Sequence, residues 1–155
     1  MIFEHLSAYV LGAMSFFAER DATPNMRAIA DAITATSIER PSFGSAQRTA
    51  LVLASIAASE SGGFRDDVID CRVLGDSGRS RGTYQIWGGP KQVCTDQLFA
   101  AHTALTIAED SMRVCGTLAA YCSGQCNRGR AIARHYQDRA EKFAREHPMM
   151  MPVPD

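Results

Sequence analysis

The chain has no apolar run long enough to cross a bilayer: the longest near its start, Leu6 to Ala18, falls short of the about 20 residues a spanning helix needs. It also lacks the marks of a secretory leader. Glu4 and His5 stand where Lys or Arg should precede the apolar segment, and no small-x-small cleavage site follows before Glu19-Arg20-Asp21. Charge of one sign is missing too: the formal net charge is −1 at pH 7, so no strong field draws the chain to nucleic acid or to an anionic membrane. No internal repeat and no low-complexity tract occurs. A metal reading would need Cys122 and Cys126 with two further ligands, Cys115 or His135 among them. No second CxxC or HxxxH pair supports it, so neither a metal nor a cofactor is expected.

What is present is the composition of one folded domain. Hydrophobic residues at 46% and charged residues at 21% over 155 positions exclude a disordered chain and leave little room for a second full domain. Five cysteines, Cys71, Cys94, Cys115, Cys122 and Cys126, point to some oxidation, and their odd number leaves at least one thiol unpaired. Spacing alone does not fix the pairing. Cys71 and Cys94 flank a Gly-rich segment and are expected to lie close enough to bond.

Gly and Pro divide the chain into mostly helical stretches, so the expected class is mainly α. A first apolar helix runs from about Ile2 to Glu19. Thr23 as N-cap and Pro24 at the first position open a second, with Met26, Ile29, Ala30 and Ile33 at helical spacing and Pro41 closing the unit. A third runs from about Ser45 to Ser61, where Gly62-Gly63 supplies left-handed residues. From Cys71 to Gly89 the pattern turns to glycines among short polar and β-branched residues, a loop or small hairpin. Thr95 is expected to cap a long central helix bearing Leu98, Ala101, Leu105, Ala108, Met112 and Cys115, and Gly116 to Cys122 reads as one or two further turns. Asn127 is expected to cap the last helix, with Ile132, Tyr136, Ala140 and Phe143 on its apolar side. Its basic side reads as a solvated face. The tail 148–155 holds three prolines and cannot continue that helix.

Two features carry chemistry. Glu60 ends the third helix on the stripe of Leu53, Ile56 and Ala57, where a carboxylate is forced against apolar surface. Desolvation there disfavours the charged form, as a general acid near neutral pH requires, and the glycines that follow leave room for a bulky ligand. Alone, a helix-end Glu before Gly-Gly is also what a plain solvated terminus looks like. The second feature is Gly78-Arg-Ser-Arg-Gly82-Thr-Tyr-Gln-Ile86, in which Gln85 can donate and accept hydrogen bonds and Tyr84 or Trp87 can stack on a sugar ring. Alone, it is also an ordinary Gly-rich hairpin.

The order of the pieces resembles a family. Glu60-Ser61 at a helix end is similar to the catalytic Glu-Ser of lytic transglycosylases and goose-type lysozymes. Gly82-Thr-Tyr-Gln-Ile86 resembles their Gly-Leu-Met-Gln-Ile segment, which lines the sugar cleft, and Ala120-Tyr-Cys-Ser-Gly124 their Ala-Tyr-Asn-Ala-Gly, whose Tyr points toward the catalytic Glu. The resemblance covers about residues 45 to 145. It implies a lysozyme-like fold with a small hairpin or Gly-rich loop along a glycan cleft, and cleavage of the β-1,4 linkage of peptidoglycan. Glu60 is then the acid, and Ser61, Gly82, Tyr84, Gln85, Ile86 and Tyr121 contact substrate. Cys122 stands where the family has Asn, and Thr83-Tyr84 where it has Leu-Met, which makes the cleft floor more polar.

A two-carboxylate lysozyme needs a second acid to activate water or to act as nucleophile, and Asp76 is the first candidate, with Asp66, Asp67 and Asp70 competing. Lytic transglycosylases, as the resemblance implies, do without it: their single Glu protonates the glycosidic oxygen, then acts as base while the muramyl hydroxyl closes an anhydro ring. The chain thus divides into a helical segment 1–44 that supports or attaches, a lysozyme-like domain 45–147 and the tail 148–155. A wall-cleaving chain without a leader suggests a bacteriophage protein, either an endolysin reaching the periplasm or a particle component with virion proteins as partners. Two alternatives stand beside this reading: a non-enzymatic virion protein on the same fold, in which Glu60 is covered by residues 1–44, and an unrelated helical adaptor.

Overall fold

The structure, a computed structural model, describes residues 1–150 of the chain. Among these residues the fold is mainly helical, with one two-stranded antiparallel sheet: α1 (Ile2–Ala18), α2 (Pro24–Glu39), α3 (Ala46–Glu60), α4 (Asp66–Ile69), β1 (Ser80–Arg81), β2 (Ile86–Trp87), α5 (Gln97–Cys115), α6 (Ala119–Ser123) and α7 (Arg130–Glu146). In the hairpin Ser80 faces Trp87 and Arg81 faces Ile86. No helix of the described residues is long and apolar enough to cross a membrane. Of the tail, residues 151–155 lie outside the described residues; Met149 packs against the core.

Helix starts follow local chemistry. The Thr23 hydroxyl accepts from the Met26 N–H at 3.2 Å ahead of Pro24, and Ser45 accepts from the Arg48 N–H at 3.0 Å, each satisfying a donor with no partner inside the helix. Two expected caps are displaced. The cap of α5 is Asp96 rather than Thr95: its carboxylate accepts from the Phe99 N–H at 2.9 Å, and that bond holds its pKa low. The last helix starts after Gly129, in left-handed backbone at φ 71°, and has no side-chain cap from Asn127 or any other residue.

The central helix is α3, not α5. Every residue from Thr49 to Ala58 is buried, whereas α5 buries one stripe and leaves Leu98 exposed. Small residues explain this: Ala50, Ala54, Ser55, Ala57 and Ala58 let α1, α2 and α7 approach α3 closely from several sides. Leu6, Val10 and Met14 of α1, and Met26, Ile29 and Ile33 of α2, share one continuous core with Leu51, Leu53 and Ile56 of α3, Leu105 of α5 and Tyr136 and Phe143 of α7. Burying each large side chain contributes about 1.5–3 kcal/mol. Residues 1–44 are therefore part of the wall on which α3 rests.

Two disulfides staple the periphery. Cys71–Cys94, with Cα atoms 5.5 Å apart, brackets the segment that holds the hairpin, as its flanking position anticipates; Cys115–Cys126, at 5.1 Å, brackets α6. The second bond joins two of the ligands that a metal reading would use, and Cys122 keeps a free thiol. Among the described residues no three His, Cys, Asp or Glu side chains are grouped to hold a metal ion.

Candidate active site

The buried stripe of α3 delivers Glu60 to a cleft of about 620 Å³. One wall comes from the hairpin region, with Asp76, Arg79, Ser80, Gln85, Ile86 and Trp87. The opposite wall comes from α6 and its surroundings, with Ala120, Tyr121, Cys122, Ser123 and Gly124, and Ile107 of α5 closes the set. No residue of 1–44 lines it. Larger or comparable hollows lie elsewhere, about 860 Å³ between the end of α1 and α7 and about 490 Å³ between the start of α3 and α7, but neither is lined by Glu60 or by the hairpin. Chemistry, not size, selects the site.

Glu60 is half-buried, and desolvation raises its pKa above the ordinary carboxylate value; the charge of Asp76 pushes the same way. Opposing both, the Tyr136 hydroxyl donates to Glu60 Oε1 and stabilises the carboxylate. Burial and that neighbouring negative charge in turn raise Tyr136, so its phenol stays protonated. The result is a carboxyl that keeps its proton to higher pH than an ordinary glutamate, gripped by one fixed donor. The Cys122 thiol, pushed up to about 11 by burial, stays uncharged beside them.

The last turn of α3 is braced from behind. Arg139 of α7 donates to Ser55 Oγ at 3.1 Å, to Ser59 Oγ at 2.8 Å and to the Ser55 carbonyl, while its guanidinium lies 4.7 Å from the centre of the Phe17 ring. Beyond Glu60, the buried Ser61 hydroxyl donates to the Ala57 carbonyl at 2.6 Å and accepts from the Phe64 N–H at 2.8 Å, and Gly62 and Gly63 take left-handed φ values of 63° and 78°. That turn fixes where the helix stops, and with it the direction of Glu60.

The sequence-derived site residues separate into two groups. Glu60, Asp76, Gln85, Ile86 and Tyr121 meet in the cleft. Ser61, Gly82 and Tyr84 do not line it. Ser61 is consumed in the helix-end turn; at Gly82, with φ 74°, an added Cβ would come within 2.9 Å of the Val93 carbonyl, so this glycine serves packing; the Tyr84 ring is buried in the core. Tyr84 contributes its backbone instead, its carbonyl accepting from the Tyr121 hydroxyl at 3.0 Å and so joining the two walls. Gln85, at φ 46°, folds its amide back to donate to the Gly82 carbonyl at 3.0 Å. Of the four aspartates only Asp76 lines the cleft, accepting from the Ser80 hydroxyl; Asp66 accepts from Asn25, Asp67 pairs with Arg65 and Asp70 with Arg72.

The residue missed in the sequence is Tyr136, which stood there only as an apolar position of the last helix. It, rather than Tyr121, holds Glu60; the Tyr121 phenol is raised by burial and by the Glu60 charge but points its hydroxyl at Tyr84. Trp87, not Tyr84, is the aromatic side chain open to a ligand. Compared with known proteins, the chain matches no family model, no curated protein and no solved structure.

Proposed function

We propose that this chain cleaves the glycan strands of peptidoglycan at the β-1,4 linkage, on a lysozyme-like fold and by the route of a lytic transglycosylase, with Glu60 as acid. The observation that carries the reading is a single partly buried carboxyl with a raised pKa, held by Tyr136 at the end of the buried helix and facing an open cleft. A covered Glu60, as a purely structural protein would tolerate, does not fit that cleft.

Protonated Glu60 gives its proton to the glycosidic oxygen, and the C–O bond breaks as positive charge builds on the sugar. The carboxylate left behind, steadied by Tyr136, then takes a proton from the muramyl hydroxyl as that oxygen closes on the anomeric carbon. The proton acquired in the second step restores the acid, so one group serves twice. Asp76 in the same cleft favours a second reading, hydrolysis, in which its carboxylate activates water or bonds the sugar directly.

Digestion of purified peptidoglycan, with product ends identified by mass spectrometry, tests this. Anhydro ends are expected, and reducing ends with water incorporated indicate the lysozyme route. Glu60→Gln, nearly isosteric but without an acid proton, is expected to cost at least about 10²-fold in cleavage. A folded Gln variant with full activity removes the proposal.

A further inference from the structure

Beside the cleft, at the hairpin, lies a hollow of about 300 Å³ lined by Gly78, Arg79, Arg81, Trp87, Gly88 and Gly89; it shares Arg79 and Trp87 with the Glu60 cleft and so continues it. Trp87 is the only tryptophan of the chain and is 69% exposed, an arrangement that leaves the largest aromatic surface in the protein uncovered. Arg79, at the end of the turn before β1, and Arg81, within it, both line this hollow, and their side chains make no salt bridge and no hydrogen bond among the described residues. The hairpin holds this group together: the Gly88 N–H donates to the Arg79 carbonyl at 2.7 Å, next to the Ser80–Trp87 pair. At Gly78 and Gly88 an added Cβ would meet nothing within 4 Å, so the hollow is open above its backbone.

Unpartnered guanidinium groups flanking a bare indole suit a ligand with an apolar ring face and an anionic substituent. We propose that this hollow is a second subsite of the glycan cleft, in which Trp87 stacks on a sugar ring while Arg79 and Arg81 hold a carboxylate carried by the strand. The inference rests on the glycan reading above and adds selectivity for acid-bearing over neutral strands. The carboxylate has two sources: the lactyl group of a peptide-free muramyl residue, or the stem peptide where that lactyl group is tied up as an amide.

The emission of Trp87 reports the subsite directly, and the inactive Glu60→Gln variant permits titration without cleavage. Three ligands of equal glycan length are compared by emission and by calorimetry: a peptide-bearing muramyl fragment, the same fragment without peptide, and a neutral chitin oligosaccharide. The expected result is a change in Trp87 emission on binding of an acid-bearing fragment. Replacing Arg79 and Arg81 by Gln should then weaken that fragment about tenfold or more while leaving the neutral one unchanged. Tighter binding of the peptide-bearing fragment assigns the stem carboxylates, and tighter binding of the peptide-free fragment assigns the lactyl group. Calorimetric binding with Trp87 emission unmoved, or equal losses for neutral and acidic ligands, overturns the subsite and leaves the glycan reading standing. Failure of every fragment to bind by either method overturns the glycan reading and the subsite with it.

Discussion

At the scale of single residues, Glu60 is held between two influences of opposite sign, and each is separately removable. Tyr136→Phe deletes the donor that favours the carboxylate, so the acid should keep its proton to higher pH: the alkaline limb of the pH–rate profile moves upward, while turnover falls about tenfold because the ionised intermediate loses a charge-assisted bond. A limb unchanged in position contradicts that role. For stability the sign is set by the raised pKa. The native state gains from a protonated Glu60 below the unfolded value and loses that gain as pH rises through the folded one, so Glu60→Gln should melt no lower than the wild type near neutrality. Calorimetric melting across pH checks it. Asp76→Asn keeps an acceptor for the Ser80 hydroxyl and removes the charge; transglycosylation then survives with a modest loss, whereas a hydrolase loses at least about 10²-fold. The placement of Glu60 was legible in the sequence because Leu53, Ile56 and Ala57 lie seven, four and three residues back on one helical face. Tyr136 was not, since a phenol on an apolar stripe looks the same whether its hydroxyl meets solvent or a distant carboxylate. Tyr84 misled for the converse reason: its ring is buried in the core beside a positive φ at Gln85, and no residue type announces that turn.

At the scale of elements, helices were readable and their caps less so. Thr23-Pro24 and Ser45 are strong local signals, but Thr95 and Asp96 are both good caps in adjacent positions, and only backbone geometry chooses Asp96. The rank of the helices was misjudged because an Ala- and Ser-rich sequence such as Ala50 to Ser59 has weak hydrophobic contrast, although small side chains are what a helix contacted on several sides requires. The cleft walls are short elements with little structure of their own: a hairpin of two-residue strands and a five-residue helix. In the chain-entropy picture, each disulfide beneath them restrains the unfolded chain by about 3 kcal/mol. Reduction with a thiol reagent at moderate temperature is therefore expected to abolish or strongly lower cleavage before the helical signal in far-ultraviolet circular dichroism is lost. Simultaneous loss of both would show that the staples hold the core as well.

At the scale of the whole molecule, the first two helices are structural partners of the site. Phe16 and Phe17 pack with rings 5.4 and 5.6 Å from Phe143, and Phe17 underlies Arg139, which grips the last turn of α3. A chain begun at Ser45 would expose one side of α3 along its length, and it is expected to show no cooperative thermal transition; a sharp melt for that shorter chain would contradict the single core. Sequence periodicity placed residues 2–39 in helices but could not say what they lay against, because packing partners across the chain leave no mark in local spacing. The paired cysteines have a last consequence. Each bracketed segment leaves and re-enters the fold through anchors only 5.5 and 5.1 Å apart, and between those anchors each also plants side chains in the core, Tyr84 and Val93 from the first and Leu118 from the second. Tolerance to exchange therefore falls on the exposed positions alone: around Arg79, Arg81 and Trp87 the sequence can be recharged or reshaped to change what the cleft admits, while the helix that carries its acid stays where it is.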